Sequence, residues 1–61
     1  MITFTFEEIR AFKPRTVLRD EDNVDWIKNR DGFWYSADDI RSSYQMSHGE
    51  YILYHDPEGV A

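Results

Sequence analysis

Four carboxylates fall between residues 20 and 25 (Asp20, Glu21, Asp22 and Asp25), and clustered carboxylates are what a hard cation such as calcium requires. A calcium-binding EF-hand loop needs oxygen ligands at positions 1, 3 and 5, Gly at 6 and Glu at 12. Counting from Asp20 puts Val24 at 5, Asp25 at 6 and Asp31 at 12, so the segment reads as an acidic hairpin turn. His48 and His55 are the only imidazoles. Even with Asp56 they fall short of a four-ligand tetrahedral site, and the chain has no Cys to complete one. Ser47 beside His48 says nothing of a catalytic triad, which is defined in space. With three Gly in all, no phosphate-cradling loop is present. A chain of 61 residues also has little room for the pocket of about 300 Å³ that a small-molecule site takes. The expectation is a protein that is not an enzyme and holds no metal or cofactor.

The aromatic residues carry more information. The run Val24 to Tyr35 places Trp26 and Trp34 on either side of Arg30-Asp31-Gly32, the pattern of a β-hairpin closed by a Gly in the left-handed region. Side chains alternate along a strand, so Phe33-Trp34-Tyr35 sets large rings on both faces. A three-residue loop pairs Asn29 with Phe33 and Lys28 with Trp34. Trp26, Lys28 and Trp34 then share one face, and Ile27, Phe33 and Tyr35 the other. A two-residue Asp31-Gly32 loop would shift the register by one and separate these sets.

The elements around the hairpin follow from local signals. Thr5-Phe6-Glu7-Glu8 is a capping box, with Phe4 and Ile9 placed as a hydrophobic staple. A helix is expected from Phe6 to about Phe12, packed through Phe6, Ile9 and Phe12 and stopped by Pro14. The competing reading makes Ile2, Phe4 and Phe6 alternate positions of a strand. Thr16 to Arg19 is β-prone and runs into Asp20-Glu21-Asp22-Asn23, a turn with Asn available for the left-handed region. Ser36 with Asp38 and Asp39 reads as a second helix start, giving a helix from Ala37 to about Tyr44. Tyr51 to Tyr54 makes a last strand before Pro57. The expected fold is α+β in one domain, residues 1–61: short helix, three-stranded antiparallel meander, short helix, final strand.

Size and charge bound the function. A chain this short buries only about 60% of its unfolded surface, and no disulfide can staple it. Its rings, each able to bury about 150–250 Å², must supply the core. The net charge is −5 and uneven: through Arg19 four basic residues stand against two acidic, and from Asp20 onward three against ten. Phosphate backbones would repel such a chain, so direct nucleic-acid binding is disfavoured. No apolar run spans a bilayer and Met1 to Phe6 lacks the basic and apolar regions of a signal peptide, so a soluble cytoplasmic protein is expected.

Several segments together resemble small uncharacterised proteins of actinobacteria and their phages: Phe6-Glu7-Glu8-Ile9-Arg10, Thr16 to Asp20, Asp22-Asn23, Trp26, Asp31-Gly32-Phe33-Trp34-Tyr35, Ser42-Ser43-Tyr44 and Gly49 to Leu53. The pattern usually has Gly in the first turn, where this chain has Asn23, and an apolar residue where it has Asp25. The resemblance implies a phage-encoded accessory protein in a bacterial host cell and brings no activity with it.

The surplus of rings leads to the functional expectation. Either all of them enter the core or one sheet face stays outside as a protein-binding surface built on Ile27, Arg30, Phe33 and Tyr35. Asp25, Arg30 and Arg19 would rim that face, and the last strand, with Tyr51 and Leu53 on one face and Ile52 and Tyr54 on the other, would extend it. The Ala37–Tyr44 helix would abolish it by folding back over Phe33 and Tyr35. The partner would be a host or viral protein. Two alternatives are a DNA mimic presenting Asp20, Glu21, Asp22 and Asp25, and a structural subunit that associates with itself.

Overall fold

In the computed structural model, which describes residues 1–57, Thr5 starts helix α1 (Phe6–Ala11) through a reciprocal capping box. Thr5 Oγ1 accepts from the Glu8 amide at 3.1 Å and the Glu8 carboxylate accepts from the Thr5 amide at 2.8 Å. The helix ends one residue earlier than the sequence predicts, because Phe12 already has extended backbone (φ −61°, ψ 142°). The expected three-residue contact is corrected as well. Ile9 is fully buried and Phe12 partly so, but Phe6 stays 37% exposed and turns to the ring of Tyr44 at 6.3 Å. Positions three apart drift by about 60° around a helix, so only the middle one of the three points straight at the sheet.

The link to the sheet is a tight turn at Lys13-Pro14-Arg15-Thr16. Its closing bond runs from the Thr16 amide to the Lys13 carbonyl at 3.1 Å, and Arg15 has φ +76°. Pro at the second position and a positive φ at the third fit a type II turn, whose third position ordinarily takes Gly or Asn. Strands β1 (Val17–Asp20) and β2 (Asp25–Lys28) follow as an antiparallel hairpin, with Asn23 at φ +62° in the turn as its type allows.

The second hairpin has the three-residue loop. Lys28 pairs with Trp34 and Ile27 with Tyr35 of β3 (Trp34–Tyr35), and the Asn29 amide donates to the Phe33 carbonyl at 2.9 Å. Gly32 has φ +90°, and a Cβ built there meets nothing within 4 Å. Gly32→Val should therefore cost about 1–2 kcal/mol from backbone strain alone. Gly32→Asn should cost less, because Asn tolerates this region. Thermal melts of the two variants check the order.

The helix expected at Ala37–Tyr44 does not form. Ser36 Oγ does accept from the Asp39 amide at 3.0 Å, but the chain closes a turn there, with the Ser36 amide donating to the Asp39 carbonyl at 2.9 Å. Ile40 and Arg41 then pair with β3 as a fifth strand, β4 (Ile40–Arg41). A ladder against Trp34 and Tyr35 satisfies backbone groups that a helix there would have left open at the sheet edge. The helix comes later, as α2 (Ser43–Met46). Ser42 is its N-cap and Gln45 completes a second capping box. His48 accepts a turn role, its ring Nδ1 lying 2.9 Å from the Tyr44 carbonyl.

The last strand, β5 (Tyr51–His55), pairs with β1, so the sheet order is β4-β3-β2-β1-β5. The architecture is α+β in two layers. Ile9 of α1 and Met46 of α2 join Leu18, Trp26, Trp34 and Tyr51 in one buried cluster, so both helices cover the same face. Lys28 is buried with them and ties the layers together. Its ammonium donates to the Arg10 carbonyl at 2.7 Å and the Ile9 carbonyl at 3.3 Å, satisfying the open carbonyl end of α1. Burial, and then the charge of Arg10, hold its pKa below the ordinary lysine value.

Candidate functional site

Because both helices lie on one side, the other face of the sheet has no layer over it. Strand register defines what that face carries. Val17 pairs with Ile27, Ile27 with Tyr35 and Tyr35 with Ile40, which makes one row of side chains across four strands. A second row runs Asp25, Arg19, Ile52. Ile27 is 43% exposed and Phe33 45%; Ile40, Ile52 and Tyr54 are exposed as well, and Tyr35 is half-buried. A continuous apolar surface of this kind is uncommon on a monomer without a use for it.

Two local networks hold the face in shape. At the hairpin tip, Asp31 accepts from the Tyr35 hydroxyl at 2.6 Å and from the Phe33 amide at 2.9 Å. The bond from Tyr35, followed by the one from Phe33, keeps the Asp31 carboxyl below its ordinary value, and the same bond raises the Tyr35 phenol. In the second row Arg19 holds Asp25 with contacts of 2.7 and 3.3 Å, while its guanidinium stacks 3.8 Å from the Tyr54 ring centroid. Arg19 thereby lowers the Asp25 carboxyl.

Three of the four residues expected for the binding surface thus lie together: Ile27, Phe33 and Tyr35. Arg30 lies apart, at the hairpin tip, where it lines a shallow cleft with Lys13, Pro14, Arg15 and Pro57. Arg30 is in the loop itself, beyond the Asn29–Phe33 pair, so strand alternation does not assign it to the face. Of the two faces of the last strand it is the one with Ile52 and Tyr54 that extends the surface, because Ile52 pairs with Arg19 while Tyr51 pairs with Asp20 and is buried. Ile40 belongs to it too, and was hidden by the expectation of a helix there; the Ser42–Gln45 capping signature was the cue that the helix starts later.

The four acidic residues do not act as one patch. Asp20 turns to the core side, where its carboxylate accepts from the Asp22 and Val24 amides (2.8 and 3.0 Å) and from Trp26 Nε1 at 3.0 Å. Asp25 is on the open face with Arg19, and Glu21 and Asp22 are exposed in the turn. Burial works against the Asp20 charge, but the bonds from Trp26, Val24 and Asp22, with Arg41 nearby, lower its pKa overall. Asp20→Ala leaves the buried Trp26 N–H without its acceptor and should cost about 1–3 kcal/mol, measurable by urea unfolding.

Asp20, Asp25 and Asp31 all sit below the ordinary carboxyl value of 3.8. Below that value the unfolded chain binds more protons than the native one. The stability they contribute is full above about pH 4 and declines as the pH falls through their lower folded values. Acid unfolding followed by tryptophan fluorescence should begin below that pH, with a shallower slope in Asp20→Asn.

Among the described residues no three His, Asp or Glu gather to hold a metal ion, and no helix is long and apolar enough to cross a membrane. Fold and surface define a two-layer α+β domain with one open sheet face. No protein-family model matches the chain, and neither a curated protein nor a solved structure matches it.

Proposed function

We propose that this chain is a non-enzymatic protein-binding module that docks on a protein partner through its open sheet face. The observation that carries this reading is the row Val17–Ile27–Tyr35–Ile40, flanked by exposed Phe33, Ile52 and Tyr54, with neither helix over it. Aromatic side chains beside a fixed Arg are enriched at interface centres. The resemblance to small actinobacterial and phage proteins directs the search to a host protein of the bacterial cytoplasm.

The test compares wild-type protein with Ile27→Glu, immobilised and challenged with actinobacterial lysate. Ile27 is substantially exposed, so the variant should keep its circular dichroism spectrum and melting temperature. A partner retained by the wild type and lost by the variant supports the reading. Equal retention by both would place the interface elsewhere.

A further inference from the structure

The open face presents side chains from all five strands, and among the described residues the charges in its middle, Arg19 and Asp25, neutralise one another at 2.7 Å, while the Asp31 carboxylate sits at its rim on the Tyr35 hydroxyl. A partner that brought its own charge to the middle of this face would find no free counter-charge and would lose hydration there. An apolar, internally neutral surface fits that requirement, and the face itself is such a surface.

The ends of the sheet are not neutral. The Lys13–Thr16 turn and the tip at Arg30 lie at one end, because β1 and β3 both start there and β2 finishes there. That end exposes Lys13, Arg15 and Arg30 around one cleft, with Asp31 in the same loop as Arg30 and the half-buried Asp56 following β5. The opposite end exposes Glu21 and Asp22 in the first hairpin turn, Asp38 and Asp39 before β4, and Glu50 before β5. Arg41, the side-chain cation at that end among the described residues, is stacked 4.2 Å from the Trp26 ring centroid. Among the described residues the first end thus carries three cations against two carboxylates, and the second one side-chain cation against five exposed carboxylates, so the sheet is polarised along its strands.

Taking the open face as a protein-docking surface, we infer that its occupant is a second copy of this chain. The two faces meet with their strands antiparallel, about a two-fold axis crossing the strands near the Val17–Ile27–Tyr35–Ile40 row. The cationic end of each copy then lies over the acidic end of the other, whereas strands in parallel would stack acid on acid. The result is four layers, helices outside and two sheets inside, about 10 Å apart.

The face is small. Five strands at about 4.8 Å spacing make it about 24 Å wide, and its longest strand, β5 with five residues, runs about 17 Å, so the footprint is about 400 Å², at the low end of interface sizes. The sheet edges are poorer sites. β4 has two residues, and Ile2 already occupies the outer edge of β5 at Tyr51 with bonds of 2.8 and 2.9 Å.

Sedimentation equilibrium supplies the test. Wild-type protein should weigh twice the chain mass of 7.3 kDa. Ile27→Glu, which sets two carboxylates against each other near the axis, should sediment as a monomer with unchanged circular dichroism. Two charge-reversed chains leave the face intact: Arg15→Glu with Arg30→Glu makes both ends acidic, and Glu21→Lys with Asp38→Lys and Asp39→Lys makes the acidic end basic. Each alone should dimerise at least tenfold more weakly than wild type, and their mixture should recover the dimer. A wild-type monomer at millimolar concentration overturns the second-copy assignment, leaving the heterologous docking reading to the lysate comparison. A dimer that survives Ile27→Glu, or a mixture no tighter than its components, overturns the antiparallel face-to-face arrangement.

Discussion

Trp34→Ala is expected to leave the chain largely unfolded at room temperature. Trp34 is fully buried on the helix-covered face, with Phe12 edge-on at 6.1 Å and the Lys28 ammonium 5.7 Å from its ring centroid. Truncating a buried Trp costs about 3–5 kcal/mol, comparable to the entire stability of about 3–5 kcal/mol expected of one small core. Trp34→Phe should behave quite differently. It keeps most of the ring contact and deletes Nε1–H, which is buried and finds no acceptor among the described residues. Removing an unsatisfied donor recovers part of what the smaller ring loses, so the cost should stay under about 1.5 kcal/mol. Urea unfolding read by circular dichroism separates the two. A cooperative, near-native transition in the alanine variant would mean that the core does not depend on this ring.

Ile9→Ala should have the next largest effect, about 2–5 kcal/mol for a fully buried aliphatic side chain. Ile9 is the single buried residue of α1, a helix of six residues too short to persist without tertiary contacts. Losing it loosens the helix, and with it the carbonyls that Lys28 bonds to. The buried ammonium would then lack its partners, so the loss should fall toward the upper end of that range. Phe6→Ala, at the exposed edge of the same helix, should cost much less. A melting temperature for Ile9→Ala equal to that of wild type would refute the packing of α1 on the sheet.

Much of this fold was legible in the sequence because it rests on interactions between near neighbours. The capping box at Thr5–Glu8, the stop at Pro14, the left-handed Asn23 and the Gly32 loop each involve residues within four positions of one another. Once that loop set the register, alternation assigned Trp26, Lys28 and Trp34 to one face and Ile27, Phe33 and Tyr35 to the other. Alternation alone left open which of these faces would be covered.

Tertiary structure decided that, and it decided the segment after Tyr35. Ser36-Ala37-Asp38-Asp39 begins like a helix, yet the open edge of β3 offers Ile40 and Arg41 a ladder, and long-range pairing outweighs a weak local start. That choice delayed the helix to Ser43 and sent α2 to the same side as α1, where Met46 completes the core. It left the Ile27 face bare and added Ile40 to it. Local chemistry determined the turns and the sidedness of each strand. Where the two helices would pack depended on contacts between residues far apart in the chain, and that packing is what exposes the candidate site.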